Sequence, residues 1–116
     1  MPAPPLPLLE PEETCASTLS TLRLRPEQAE QIAGQAKALS HPVRIQIVDL
    51  LSRYGGRVCV CEIERHFALS QPTISHHLRV LREAGVIDGE QRGLWVYYRL
   101  VPGALAPLME LLGCLG

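Results

Sequence analysis

Two of the four cysteines in this chain stand one residue apart, in Val58-Cys59-Val60-Cys61-Glu62. Thiolates are soft ligands that select soft ions, and two on one short segment can close on a single heavy atom. The backbone limits how. Side chains at i and i+2 share one side of an extended chain, but on a helix they point roughly 200° apart. Capture of one ion by both sulfurs therefore calls for an extended segment or a distorted first turn. Two sulfurs make a weak site, so a third must come from far away in sequence. Cys15 is the preferred donor, because a flexible arm can reach a site; Cys114 is the alternative, and the donor can belong to another protomer. A helix start here, with Arg57 close by, is expected to lower the thiol pKa.

A second set of polar residues follows. Ser70-Gln71-Pro72-Thr73 reads as a helix entrance, with Ser70 as N-cap and Pro72 in the first turn. On a wheel of about 100° per residue, Ile74, Leu78 and Leu81 share an apolar stripe. Gln71, Ser75, Arg79 and Arg82 line one flank, and His76 lies nearly opposite the core. His77 falls at the other edge of the stripe, where it packs or hydrogen-bonds. Such a flank fits the major groove of duplex DNA: Arg can pair with guanine, Gln with adenine, and Ser or His can reach a base edge or phosphate. The helix N-terminus adds donors for a phosphate. Arg92, beside Gly93, fits a phosphate or minor-groove contact. The predicted DNA-binding set is Ser70, Gln71, Thr73, Ser75, His76, Arg79, Arg82 and Arg92. Neighbouring His76 and His77 point about 100° apart on a helix and do not share one ion.

These residues need a frame. Residues 1–25 hold five of the ten prolines and no clear period, which predicts a flexible N-terminal arm. Residues 26–116 form the domain. Helices are predicted from Pro26 to Leu39, from Pro42 to Tyr54, over a short stretch from Glu62 to Phe67, and from Ser70 to Ala84, with Gly85 as terminator. The period then changes to two: Val86-Ile87 is a first strand and Leu94 to Leu100 a second, with residues 88–93 as the loop between them. Pro102 to Leu112 is a last apolar helix, with Pro107 marking a kink or a later start. The fold class is mainly α with a small β-hairpin, in the order of a winged helix-turn-helix. A polar helix face is by itself an ordinary solvated one; its place between a short helix and a hairpin marks this one as a reading helix.

Composition bounds the remaining classes. With 116 residues and 47% hydrophobic content, the chain can bury one core. It has no run long enough to span a membrane and no signal-peptide pattern, so a reducing cytoplasm with thiol cysteines is expected. The net charge of −1 hides an asymmetry: residues 37–100 carry nine Lys/Arg against six acids, a basic unit of the kind that holds phosphates. Cys-x-Cys lacks the Cys-x-x-Cys redox spacing and no base is paired with it, so the chain does not read as an enzyme. A redox-sensing thiol repressor is the alternative from another class of signal.

Residues 37–100 resemble the ArsR/SmtB family of metal-responsive repressors. The matching stretches are Ala38-Leu-Ser-His-Pro-Val-Arg-Ile-Gln-Ile-Val48, Val58-Cys-Val-Cys-Glu-Ile63, Ser70-Gln-Pro-Thr-Ile-Ser-His-His-Leu78 and Gly93-Leu-Trp-Val-Tyr-Tyr-Arg-Leu100. The resemblance implies a homodimer through the first and last helices, operator binding without any cofactor, and release on ion binding. Val58-Cys-Val-Cys-Glu is similar to the family's arsenic- and cadmium-type metal box. One branch carries a third Cys where this chain has Glu64; cadmium and lead sensors recruit cysteines from the arm, which Cys15 resembles. The inducer implied is As(III) or Sb(III) on Cys15, Cys59 and Cys61, with a Cd(II), Pb(II) or zinc response as the alternative. The family's Asp/His zinc site on the last helix has no counterpart, since residues 101–116 contain neither type.

Overall fold

The computed structural model describes residues 22 and 24–115; the expected arm, with Cys15, lies outside that range apart from its last residues. Five helices and three strands follow among the described residues: α1 (Pro26–Ala38), α2 (Pro42–Arg53), β1 (Val58–Cys59), α3 (Val60–Arg65), α4 (Gln71–Glu83), β2 (Ile87–Arg92), β3 (Trp95–Leu100) and α5 (Ala106–Leu115). This is the winged helix-turn-helix order. No helix among them is long and apolar enough to cross a membrane.

Local chemistry sets the boundaries. Pro26, Pro42 and Pro72 each sit in a first turn, where the missing N–H costs nothing. His41 caps α2 by accepting from the Val43 amide through Nδ1 at 3.1 Å. Helix α4 ends at Gly85, φ 77°. There the Val86 amide bonds to Leu81 O and the Gly85 amide to Arg82 O, both at 3.0 Å, a pairing that closes the exposed carbonyls through a left-handed glycine. The core gathers Ile47 and Leu51 of α2, Val58, Ile63, Ile74, Leu78 and Leu81, Val86, Ile87 and Tyr98. It lies between the helices and the inner face of the sheet.

The structure corrects several boundaries. Residues 88–92 continue β2 instead of forming a loop, and a two-residue turn at Gly93-Leu94 closes the hairpin. Positive φ at Gly93 alone matches a type II′ turn. The sequence hides this strand because its inner-face residue is Gly89. A Cβ there would lie 2.9 Å from the Tyr98 ring, so glycine lets that ring lie across the strand. The sheet also has a third strand: β1 pairs with β3, giving the order β1-β3-β2. Helix α3 begins at Val60, two residues earlier than expected, and α5 begins at Ala106, four later than expected, with Pro107 in its first turn.

Candidate DNA interface and cysteine pair

Helix α4 presents two faces. Ile74, Leu78 and Leu81 are buried, as the wheel requires, while Gln71, Ser75, His76, Arg79 and Arg82 are exposed and Thr73 is half-buried. Ser70 Oγ accepts from the Thr73 amide at 3.4 Å and lies 2.9 Å from Thr73 Oγ1. Arg79 Nη2 and His76 Nδ1 are 3.4 Å apart. Gln71 Nε2 donates to Glu64 Oε1 at 3.2 Å, which ties the first turn of α4 to α3. At the tip of the hairpin Arg92 is exposed and drawn back along the sheet: it pairs with Glu90 at 2.8 Å, and its guanidinium lies 5.2 Å from the Tyr97 ring centroid.

His77 is 5% exposed and belongs to the scaffold. Its Nδ1 accepts from Arg44 Nε at 3.3 Å, and its ring packs against His41 with centroids 4.4 Å apart. Burial above all, then the charges of His41, Arg44 and His76, push its pKa below the ordinary 6.5. The ring is therefore neutral at pH 7, with its proton on Nε2. The His76 and His77 ring centroids are 5.8 Å apart.

The cysteine pair occupies the junction of β1 and α3. Cys59 is extended (φ −63°, ψ 140°) and is the N-cap of α3, and its Sγ accepts from the Cys61 amide at 3.4 Å. An extended residue followed directly by a helix turns the two side chains toward each other. The expected drop in thiol pKa is overturned at Cys61. Hydrogen bonding with the Cys59 side chain, then burial, then the charge of Cys59 raise its pKa, outweighing Arg65 and the Glu62 amide. Arg57 plays no part in that balance because it points elsewhere. It pairs with Asp88 at 2.7 Å and Glu90 at 3.5 Å, and Arg99 joins Asp88 at 3.1 Å. Burial pushes the Asp88 carboxyl up, but the hydrogen bonds from Arg57 and Arg99 and their charges outweigh it and hold the pKa below the ordinary range. Sequence distance conceals these partners: Asp88 lies 31 residues from Arg57.

Among the described residues no group of three or more His, Cys, Asp or Glu side chains is placed to hold a metal ion. The pair thus supplies two soft donors, and a site of three sulfurs needs one more. Cys114 lies on α5, in a groove with Leu24, Gln28 and Gln31 of the α1 side.

Comparison with known proteins follows the same lines. The profile of the bacterial regulatory protein arsR family matches residues 41–88. The arsenical resistance operon repressor of Escherichia coli (strain K12) is 46% identical over 66 residues, which are 57% of this chain and 56% of that protein. The chain therefore spans little more than half of that relative. A crystal structure of a possible transcriptional regulator for arsenical resistance is 38% identical with a TM-score of 0.63, covering 71% of this chain and 83% of that one. A solution structure from Mycobacterium bovis is a homodimeric winged helix-turn-helix DNA-binding domain of a possible ArsR-family transcriptional regulator. It is 28% identical with a TM-score of 0.62, covering 82% and 89% of the two chains.

Proposed function

The chain belongs to the arsR family of bacterial regulatory proteins, and from that premise we propose that it is an arsenical-responsive repressor. In this reading a homodimer holds operator DNA through α4 and the hairpin, and lets go when As(III) or Sb(III) engages Cys59, Cys61 and Cys15. Residues 1–25 serve as the arm that brings Cys15, and residues 26–116 as the DNA-binding and dimerisation domain. The DNA-facing set is Ser70, Gln71, Thr73, Ser75, His76, Arg79 and Arg82, with Arg92 from the hairpin.

The observation that carries the sensing role is the sulfur cap of α3. Cys59 Sγ accepts from the Cys61 amide, so the group that would bind an ion also holds the start of the helix supporting α4. Helix α3 has six residues, well below the length at which a helix persists alone, about 12–15 residues. Engagement of both sulfurs withdraws the cap. Loss of a sulfur cap costs less than about 0.5 kcal/mol by itself. Most of the roughly 1–3 kcal/mol of a typical coupling between sites therefore comes from the distortion of the first turn that engagement of both sulfurs imposes. The disturbance reaches α4 through Gln71–Glu64 and through Ile63, fully buried in the same cluster as Ile74.

Dimerisation is supported by α5, which buries none of its residues and exposes Met109, Leu112 and Leu115. Its contact with α1 includes Gln35 Nε2 donating to Ala104 O at 2.7 Å, just ahead of α5. A second copy covers the remaining apolar face.

An operator-binding assay with and without arsenite tests the reading. Cys59→Ser and Cys61→Ser are expected to bind operator and to lose release by arsenite, and Cys15→Ser to weaken it. Normal release from the Cys59/Cys61 double variant overturns the sensor assignment. Full response in Cys15→Ser moves the third sulfur to Cys114.

A further inference from the structure

Cys59 has a neighbour outside its own segment. In the ladder between β1 and β3 it stands opposite Tyr97, and Tyr97 in turn stands opposite Glu90 of β2. Directly opposed residues share a face, with Cβ atoms about 4.5–5.5 Å apart. Cys59, Tyr97 and Glu90 thus form one row across the outer face of the sheet. The adjacent row, Val58, Tyr98 and Gly89, faces the core. The Arg92 guanidinium lies over the Tyr97 ring, 5.2 Å from its centroid, and is held from the side by Glu90 at 2.8 Å. One phenol ring therefore has the cysteine beside it and the arginine of the hairpin tip on its face.

We infer that Tyr97 is a positioning residue that carries the state of Cys59 to the hairpin: its ring anchors Arg92 and shifts when Cys59 takes up the inducer, which changes how Arg92 reaches DNA. The inference rests on Cys59 and Cys61 being the inducer site. Three features support it. The ring is half-buried and borders an open groove of about 540 Å³ shared with Arg57, Arg92 and Arg99, so it has somewhere to go. Sulfur beside an aromatic ring is a favourable contact, and a guanidinium is drawn to a ring face; both depend on where the ring lies. The charges of this face are also tightly shared, since Glu90 serves both Arg57 and Arg92. Displacement of Arg92 therefore redistributes its partners instead of leaving a bare charge. The route runs through the sheet and is separate from the one through α3 and α4.

The test measures operator affinity with and without arsenite for the native protein, Tyr97→Leu, Tyr97→Phe and Arg92→Gln, with arsenite binding followed separately by thiolate absorption. The native protein is expected to lose operator affinity by about 5- to 150-fold on arsenite binding. Tyr97→Leu is expected to bind arsenite within about twofold of native while its loss of operator affinity shrinks by about threefold or more, and Tyr97→Phe, which keeps the ring, to restore it. Arg92→Gln changes an exposed side chain that the core does not need, and is expected to show the same shrinkage whatever its own operator affinity. It decides the matter if Tyr97→Leu fails to fold. A native-sized release ratio in Tyr97→Leu and Arg92→Gln overturns the relay, as does loss of arsenite binding in Tyr97→Leu, which would make Tyr97 part of the ion site. Absence of any arsenite effect in the native protein overturns the inducer reading itself, and the relay with it.

Discussion

Helices α3 and α4 are consecutive parts of one helix-turn-helix, yet α4 runs thirteen residues between an oxygen cap at Ser70 and a glycine exit at Gly85, whereas α3 runs six and starts on a sulfur. Helix α4 also buries Ile74, His77, Leu78 and Leu81, while α3 buries Ile63 alone. Packing and hydrogen bonds fix the reading helix several times over; the supporting helix has one fully buried residue, Ile63, with Val60 half-buried against the core, and a weak cap. A repressor needs that asymmetry. In the proposed reading, the element that meets DNA keeps its shape and the element that feels the signal can lose some of its own.

The contrast is broken most directly in the core. Leu78→Ala is expected to cost about 2–5 kcal/mol, whereas Cys61→Ser, at a half-buried position, should stay within about 0.5 kcal/mol. Urea unfolding of the two variants measures the difference; equal losses would mean that both helices are fixed alike. The caps sharpen the comparison further. Ser70→Ala is expected to cost about 1 kcal/mol, and Cys59→Ala less than about 0.5 kcal/mol, because sulfur is a poorer acceptor than a hydroxyl and Cys is not a favoured cap. Cys59→Ser should leave α3 as stable as before or more so, and therefore separates sensing from folding.

The smallest effect concerns pH. His77 has a folded pKa below 6.5, so below that value the unfolded chain takes up a proton that the folded ring resists. Its contribution is present in full above pH 6.5 and is lost as the pH falls through the folded pKa. Urea midpoints at pH 7.5 and 5.5 should show native stability falling toward acid, and His77→Gln should fall less. The raised Cys61 pKa acts on a divalent ion: Cd(II) displaces the thiol protons, so its affinity should increase with pH. As(OH)3 instead carries those protons off as water, and its affinity should change little with pH below the thiol pKa.

Much of the reading helix is legible in the amino-acid sequence, because its signals are local. Ser70 with Pro72, the spacing of Ile74, Leu78 and Leu81, and Gly85 all lie within one short stretch of chain. The sheet is legible in part. Val96, Tyr98 and Leu100 alternate visibly, but β2 has Gly89 where an alternating strand would carry an apolar residue, and β1 is too short to show a period. The electrostatics of the cysteine pair mislead for the opposite reason. Arg57 is two residues from Cys59 in sequence, yet Asp88 and Glu90 claim it in space. A neighbour in sequence is no guide when a stronger partner lies across the sheet. What brings the cysteines together is the extended cap residue followed at once by a helix, and sequence signals place that helix start two residues late.

Residue-resolved amide hydrogen exchange on the operator-free protein, with and without arsenite, tests the proposed link between the sulfur pair and the supporting helix most directly. Arsenite is expected to speed exchange at Cys61 and through the first turn of α3, while the buried turns of α4 around Leu78 keep their protection. Unchanged or slower exchange across residues 60–65 with arsenite bound would contradict it.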